Sequence, residues 1–376
     1  MIILFYLILF LLFYHFFGYA LLLNLFSDYK RVTPNVNPGI EPKITVICPA
    51  YNEESTIREK LLSFTELDYP AEKIGLIVIS DGSQDSTESI VREFESSYNN
   101  IRLIVQTPQQ GKPSTHNLIE SSLNTDWILA TDANSIFEKR SVRELVKYCE
   151  DDNIGMIVGK LIYRKGEKEA GEITYWNFES KLKELETEFN TLICANGSIY
   201  LIRKEYFTRI HPASVDDFER TLIVLEKGKK AVYTKKAKVS EFVTDNLPEL
   251  IKKKIRIISR EWFALFRHLR LLNPIKHPLI TFQLFSHKII RWLLPFFSFL
   301  LILTSYNLKP DPVFEIFFYF QILFYALGLY GIIFFRTVKS KLITICSYWL
   351  AMNVASLVGF FYFLIGKQIK SWETER

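Results

Sequence analysis

Cysteine is scarce in this chain, and its few cysteines are far apart. The only four among 376 residues are Cys48, Cys149, Cys194 and Cys346. Zinc sites and redox motifs usually need Cys-x-x-Cys pairs, and small secreted scaffolds need a dense set of cysteines. The sequence therefore predicts neither a zinc site nor a disulfide framework, and it favours reduced thiols in a cytosolic setting.

Charged side chains are absent from the first 26 residues, which contain no Asp, Glu, Lys or Arg. This almost continuously apolar segment is long enough to cross a bilayer. It has neither the basic start nor the small-residue cleavage site of a removable signal peptide. Because Lys30 and Arg31 follow it and basic flanks favour the cytoplasm, we expect the chain to enter the cytoplasm there.

Basic residues are concentrated in one segment. The net charge is only +5, and Lys and Arg cluster between residues 252 and 270, so no nucleic-acid partner is expected. Lys253, Arg256, Arg260 and Arg267 share one face of a predicted helix, opposite an apolar face. Two interpretations remain open: the helix lies in the membrane interface against anionic lipids, or some of its cations face a pyrophosphate.

Further long apolar segments lie near the C-terminus, at residues 293–306, 313–335 and 342–365. They predict two or three spans, and the side on which the tail after Lys367 lies stays open. The chain is thus predicted to contain an N-terminal transmembrane helix (1–27), a proline-containing linker (28–42), a central domain (43–245), amphipathic interface helices (246–292) and a C-terminal transmembrane region (293–376).

The central domain alternates between short apolar runs and helical patterns. This alternation predicts an α/β fold with a doubly wound, mostly parallel sheet. Polar clusters follow three of the predicted strands, at residues 49–53, 81–85 and 132–134. Because ligands of such sheets bind beyond the carboxyl ends of the strands, we predict a ligand crevice at this edge.

Asp132 and Asn134 come directly after the apolar run at residues 127–130. Their oxygens are the ligands that Mg²⁺ or Mn²⁺ prefers, often together with substrate phosphates. A strand followed by an ordinary Asx turn is the structural alternative for this stretch.

Six short motifs follow one another in order along residues 43–295, and together they resemble the membrane-bound family 2 glycosyltransferases. The cellulose-synthase-like and poly-N-acetylglucosamine-synthase-like branch is the most similar. The motifs are Pro49-Ala-Tyr-Asn-Glu53, Ser80-Asp-Gly-Ser83, Gly111-Lys112, Thr131-Asp-Ala-Asn134, Asn196-Gly-Ser-Ile-Tyr200 and Asp216-Asp217-Phe218. The resemblance implies a cytoplasmic GT-A-type domain, flanked by transmembrane and interfacial helices, in a multi-pass protein of the inner membrane.

The resemblance also implies a reaction and its residues. A sugar moves with inversion from a nucleotide-diphosphate sugar, a UDP-sugar being the first expectation, to an acceptor whose proton Asp217 removes. Asp132 meets Mg²⁺ or Mn²⁺ and the donor phosphates, and Asn134 stands where relatives usually have a second Asp. Contacts to the nucleotide sugar are implied for Pro49, Tyr51, Glu53, Asp81, Lys112 and Asp132. Contacts to the diphosphate or the acceptor are implied for Asn196, Gly197, Asp216, Arg256 and Arg260.

Several of these residues have structural alternatives. The pair at residues 216–217 could cap a helix, Asp81 and Gly197 could belong to tight turns, and Lys112 could be a solvated surface lysine. Glu219 and Glu241 are expected on the surface.

Polymerising relatives carry Gln-x-x-Arg-Trp on the helix after the base, where this chain has Lys253-Lys-Ile-Arg256-Ile257. Our first interpretation is a transferase that builds or extends a glycan at the cytoplasmic membrane face, with export left to a separate partner. A single-addition transferase with a polyprenyl-phosphate or other lipid acceptor is the alternative. A third hypothesis is a non-catalytic nucleotide-sugar-binding scaffold, against which the three acidic residues Asp81, Asp132 and Asp217 argue.

Overall fold

A mixed β-sheet is the centre of the computed structural model, which describes residues 1–27, 34–164, 170–242, 247–335, 337–338 and 340–367. Within these residues the sheet has eight strands in the order β3-β2-β1-β4-β7-β6-β8-β5. The strands are β1 Ile44–Ala50, β2 Ile74–Ser80, β3 Ile101–Val105, β4 Trp127–Thr131, β5 Ile136–Phe137, β6 Ile154–Arg164, β7 Ile199–Arg203 and β8 Lys230–Phe242.

The first half of the sheet is parallel and the second half is mixed. β1 pairs in parallel with β2 and with β4, and β2 pairs in parallel with β3. β7 is antiparallel to both of its neighbours, and β5 is antiparallel to β8. The predicted α/β fold is confirmed, and the parallel block explains it: its strands are apolar runs because helices cover both faces of such a sheet.

Helices surround the sheet and continue beyond it. Those before and around the sheet are α1 Ile2–Phe13, α2 Tyr19–Ser27, α3 Ile57–Thr65, α4 Thr87–Ser97, α5 Lys112–Ile119, α6 Ser141–Val146, α7 Ala170–Phe189 and α8 Asp216–Glu226. Those after it are α9 Leu247–Arg267, α10 Pro278–Leu284, α11 Ile290–Asn307, α12 Pro312–Ile333 and α13 Lys341–Leu364.

Four helical segments of the described chain are long and apolar enough to cross a membrane: Ile2–Phe26, Pro278–Asn307, Pro312–Ile333 and Lys341–Leu364. The second segment joins α10 and α11 through a π-helical turn, so the predicted border between interface helices and spans at residue 293 falls inside one continuous helix. Residues 278–292, which were predicted to belong to the interface helices, are therefore part of a helix that is long and apolar enough to cross a membrane.

α13 packs against two different helices. Near its start, Ser347 lies against Gly331 of α12, and near its end Gly359 lies against Ile255 and Ile258 of α9. The amphipathic helix α9 thus uses its apolar face for contact with protein as well as for any contact with lipid. The basic tail residues after Lys367 lie outside the described residues.

Two carboxylates that we expected on the surface are buried. Glu219 is 1% exposed and accepts a hydrogen bond from Arg267 Nε at 2.9 Å. Although burial opposes its charge, hydrogen bonds from His268, Ser214 and Arg267 hold the pKa of Glu219 below its usual range. Glu241 is 6% exposed and accepts a hydrogen bond from the Ser135 hydroxyl. The surface prediction was wrong because the partners that bury these side chains are distant in sequence.

Candidate functional site

Asp81 follows β2 and fixes a neighbouring loop. Its side chain is fully buried, and Oδ1 accepts hydrogen bonds from Gln106 Nε2 at 2.8 Å and from the Gln110 backbone N–H at 2.9 Å. Oδ2 accepts one from the Gly111 backbone N–H at 2.7 Å. Asp81 therefore positions the glycine that precedes α5, and its predicted contact with a nucleoside stays a prediction.

The segment after β1 contains three predicted contact residues in different settings. Pro49 is buried within the strand, opposite Ile79 of β2. Tyr51 is half-buried at the strand end. Glu53 is buried, and its Oε2 accepts a hydrogen bond from the Thr56 hydroxyl at 2.7 Å. Of the three, Tyr51 is the side chain that the structure leaves most accessible.

Lys112, the first residue of α5, bridges the residue after β4 and the first residue of α8. Its ammonium donates a hydrogen bond to Asp132 Oδ1 at 2.7 Å and lies 3.3 Å from Asp216 Oδ2. The side chain is only 15% exposed, so the alternative of a solvated surface lysine is wrong. Although burial opposes its charge, Asp132 and Asp216 hold the pKa of Lys112 well above its usual range.

Gly197 lies where the polar side chains meet. A Cβ atom at this position would be 2.9 Å from Lys112 Nζ, 3.3 Å from Asp132 Oδ2 and 3.7 Å from Asp217 Oδ2. The missing side chain therefore leaves space between the two carboxylates. Neighbouring Asn196 supports the turn, since its Nδ2 donates to the Gly159 carbonyl at 3.1 Å.

Asp216 and Asp217 are the first two residues of α8, and Val215 precedes them as the N-cap. The helix-cap alternative is therefore wrong, although negative charge in the first turn still suits the helix dipole. Asp217 Oδ1 accepts a hydrogen bond from the Phe218 backbone N–H at 2.7 Å. Burial, and after it the like charge of Asp216, raises the pKa of Asp217 to about 7.

The pKa of Asp216 is shifted in the opposite direction to that of Asp217. Burial opposes its charge, but Lys112, His116 and Arg220 outweigh burial and lower its pKa. The Tyr200 hydroxyl also donates a hydrogen bond to Asp216 Oδ2 at 3.1 Å. We had not assigned roles to His116 and Tyr200. His116 could have been found from its position four residues after Lys112, because residues at this spacing share a helix face.

Arg256 and Arg260 approach the carboxylates from α9. Both are half-buried. Burial lowers the pKa of both arginines, and the nearby charges of Asp132 for Arg256 and of Asp216 for Arg260 act in the opposite direction. The amphipathic helix therefore turns part of its basic face toward the site.

A metal at this site would depend on few protein oxygens. Asn134 is half-buried in a turn that the Ser135 backbone N–H closes onto the Asp132 carbonyl at 3.2 Å. No group of three or more His, Cys, Asp or Glu side chains that could hold a metal occurs among the residues that the structure describes. The donor set of Asp132 and Asn134 fits a hard cation that takes its remaining ligands from phosphates and water.

Comparisons with curated proteins give relatives that share part of this chain. "Probable glycosyltransferase YdaM" of Bacillus subtilis is 34% identical over 141 residues, which are 36% of this chain and 34% of that protein. An "N-acetylglucosaminyltransferase" of Rhizobium meliloti is 24% identical over 271 residues, 67% of this chain and 63% of that protein. The chain thus spans less than two thirds of the length of each of these relatives.

Comparison with solved structures and with family models addresses the fold and the family. "Mannosyltransferase PcManGT from Pyrobaculum calidifontis in complex with GDP-Man and Mn2+" matches with a TM-score of 0.73 and 20% identity, over 97% of this chain and 100% of that one. This likeness shows the GT-A-type fold. The model of "Glycosyl transferase family 2" matches residues 45–210, which contain the carboxyl ends of strands β1 to β7. The predicted resemblance is confirmed over these residues, which match a glycosyl transferase family 2 domain.

Proposed function

We propose that this protein is an inverting glycosyltransferase that moves a sugar from a nucleotide-diphosphate sugar to a glycan acceptor at the cytoplasmic face of the inner membrane. The observation that carries the proposal is the arrangement around Gly197. Polar side-chain atoms of Lys112, Asp132 and Asp217 all lie within 3.7 Å of the position that a Cβ atom of residue 197 would occupy. The four apolar helices support a multi-pass membrane location. The four cysteines are free and buried, which is consistent with a cytoplasmic domain.

Asp217 is the residue that we assign as general base. A base works best when its pKa lies near the working pH, and burial beside Asp216 raises the pKa of Asp217 to about 7. Its position on the first turn of a helix holds the carboxylate in a fixed direction. One oxygen accepts the Phe218 N–H, and the other is the oxygen that lies nearest to Gly197.

We assign the donor diphosphate to the side of the site formed by Asp132, Asn134 and Lys112. A divalent cation, when bound, would neutralise negative charge on the leaving diphosphate. Asp132 and Asn134 are the residues that would hold it, since they supply carboxylate and amide oxygens. The Lys112 ammonium donates a hydrogen bond to Asp132 Oδ1 at 2.7 Å, and it is close enough to this side of the site to pair with a phosphate as well.

A second candidate function, addition of one sugar to a lipid acceptor, is favoured by the position of Trp262. This residue is buried, with its ring 4.6 Å from that of Trp292 and 6.2 Å from that of Phe363. It packs in the contact between α9, α11 and α13, and it is therefore not a substitute for the tryptophan that polymerising relatives carry beside their arginine.

Release of nucleotide diphosphate from purified protein tests both functions. We would supply UDP- and GDP-sugars with Mg²⁺ or Mn²⁺ and measure the size of the product. UDP-N-acetylglucosamine is the first donor to try, because a relative is named an N-acetylglucosaminyltransferase. Long products would support the glycan-extending function, and single addition would support the lipid-acceptor function. No release with any donor in native lipid would contradict both and favour the scaffold hypothesis.

The pH dependence of kcat/KM should show the pKa of the general base. Because protonated Asp217 cannot accept a proton and its pKa is about 7, we expect the rate to fall as the pH drops below that value. Rates measured from about pH 5 to about pH 9 would show an acid limb with this midpoint. A rate that is independent of pH across the acid range would contradict the assignment of Asp217.

Gly197→Ala should reduce transfer by about tenfold without unfolding the domain, because small displacements of reacting groups are costly. The new methyl group would displace the Lys112 ammonium and approach Asp132 Oδ2, at 2.9 and 3.3 Å in the present arrangement. Gly75→Ala is the matched control, since a Cβ there meets nothing closer than 3.7 Å. Steady-state rates and melting temperatures of both variants test this prediction. An unchanged rate for Gly197→Ala would show that the reaction takes place elsewhere.

A further inference from the structure

A buried ion pair lies next to the helix that begins with the two aspartates. Glu261 of α9 is buried, and its Oε1 accepts a hydrogen bond from Lys288 Nζ at 2.6 Å. Its Oε2 accepts a second hydrogen bond, from the indole Nε1 of Trp292, at 3.2 Å. Both carboxylate oxygens are thus bound by the segment that runs from the π-helical turn Phe285–Ile289 into α11.

The two donors of this pair also contact Phe218, the residue after the assigned base. The Phe218 side chain is fully buried, and Lys288 Nζ lies 5.1 Å from the centre of its ring. The ring of Trp292 meets it edge-on, with 6.2 Å between the two centres. The backbone N–H of Phe218 donates the 2.7 Å hydrogen bond to Asp217 Oδ1. The residues that bind Glu261 therefore also pack on the residue that orients the Asp217 carboxylate.

Charged and titratable groups from several elements surround Asp217. After burial and the charge of Asp216, the charge of Glu261 is the next influence that raises the pKa of Asp217, whereas Lys112 lowers it. Other groups that interact with the charge of Asp217 are Lys183 of α7, Cys194, which precedes β7, and Tyr200 of β7. Asp217 thus has one like charge beside it on its own helix and a second one on α9.

Stability alone does not account for an ion pair at this place. A buried pair of opposite charges is often no more stabilising than two uncharged side chains of similar volume, because both charges lose their hydration. The surroundings are apolar, since Trp292 belongs to a core cluster with Phe218, Trp262 and Leu284. A glutamine at residue 261 could still accept a hydrogen bond from one of the two donors. What only the carboxylate supplies is a negative charge near the base.

We propose that Glu261, held in place by Lys288 and Trp292, is a positioning residue for Asp217. This inference rests on the proposed function and deepens it, because it names a group that acts on the reaction through the assigned base. The negative charge of Glu261 makes Asp217 a stronger acceptor for the proton of the acceptor hydroxyl, and Glu261 itself takes up no proton. The contacts of Lys288 and Trp292 with Phe218 keep the first turn of α8 in a fixed direction.

Glu261→Gln and the double variant Glu261→Gln/Lys288→Gln test the proposal in the full-length protein. Without the carboxylate, we expect the acid limb of the kcat/KM profile to move down by about one pH unit, because a nearby like charge shifts a pKa by roughly this amount. Glu261→Gln leaves the Lys288 ammonium without its anion, so the shift should be larger in this variant than in the double variant. The donor KM should change less than about twofold in both, since the base acts in the chemical step.

The double variant keeps the test decisive if Glu261→Gln does not fold. Its two side chains are uncharged and can hydrogen-bond to each other, so no buried charge lacks a partner. Glu249→Gln is the matched control, because Glu249 lies on the same helix twelve residues before Glu261, roughly 18 Å away along the axis. An acid limb that stays at the parental pH in the double variant, or that moves equally far in Glu249→Gln, would overturn the proposal.

A measurement without turnover separates this inference from the proposed function. Infrared difference spectra across the same pH range, with Asp217→Asn as the reference, follow the carbonyl band of protonated Asp217. We expect its midpoint to lie at lower pH in the double variant than in the parent. If it does and yet no donor releases nucleotide diphosphate, the transferase function fails while the action of Glu261 on Asp217 stands. If transfer proceeds and the infrared midpoint is the same in both proteins, the assignment of Glu261 is wrong while the function stands.

Discussion

Asp217→Asn should reduce sugar transfer by about three orders of magnitude, within the range that a general base contributes. The amide has nearly the same shape and can still accept the hydrogen bond from the Phe218 N–H, which the carboxylate accepts at 2.7 Å. It cannot, however, take a proton from the acceptor. Because a base acts only in the chemical step, the affinity for the donor should remain within about twofold of that of the parent.

Asp216→Asn serves as the comparison for this variant. It removes the negative charge that faces the Tyr200 hydroxyl and Lys112, and this is also the like charge that raises the pKa of Asp217. We therefore expect the acid limb of the pH profile to move to lower pH in Asp216→Asn. In Asp217→Asn, the residual activity should be low at every pH and should show no acid limb. Donor turnover by Asp217→Asn at the parental rate would show that another group is the base.

The fold and the general location of the site follow from local sequence patterns. Apolar runs such as those of β1 and β2 predict strands because their β-branched residues fill a sheet that is covered on both faces. Parallel strands then bring their carboxyl ends to one edge, which is why polar residues after β1, β2 and β4 could be assigned to one crevice.

The detailed role of a side chain depends on partners that are far away in the sequence. The resemblance implies a nucleoside contact for Asp81, but no local pattern predicts that its carboxylate accepts hydrogen bonds from Gln106, Gln110 and Gly111. Glu219 carried no motif and is buried because α9 brings Arg267 to it. No periodicity or motif encodes such pairs, so the sequence could predict where the site lies but not which distant side chains hold its residues in place.

The same limit applies to the four long apolar helices. Hydropathy identified the long apolar segments because the bilayer fixes their length and composition. It could not tell that Gly359 of α13 lies against Ile255 of α9, since glycine is frequent in apolar membrane-spanning helices whether or not it makes such a contact.

Asp132→Asn should lower kcat/KM by about a hundredfold, or about 2.7 kcal/mol in the activation free energy. The substitution keeps the size and one oxygen of the side chain but removes its charge, so a divalent cation and Lys112 both lose their anionic partner. Lys112 retains Asp216 at 3.3 Å, and the fold should therefore persist. Asp126→Asn is the matched control, because Asp126 is exposed just before the same strand, β4.

Titration of the donor with and without Mg²⁺ or Mn²⁺ gives the decisive measurement. In the parent, the cation should tighten donor binding, and in Asp132→Asn most of that gain should disappear. If the parent binds the donor equally well with and without the cation, the metal assignment of Asp132 and Asn134 is wrong. The Lys112 ammonium would then be the positive charge that faces the diphosphate, since it already lies between Asp132 and Asp216. In that case Lys112→Gln, rather than removal of the metal, should abolish donor binding.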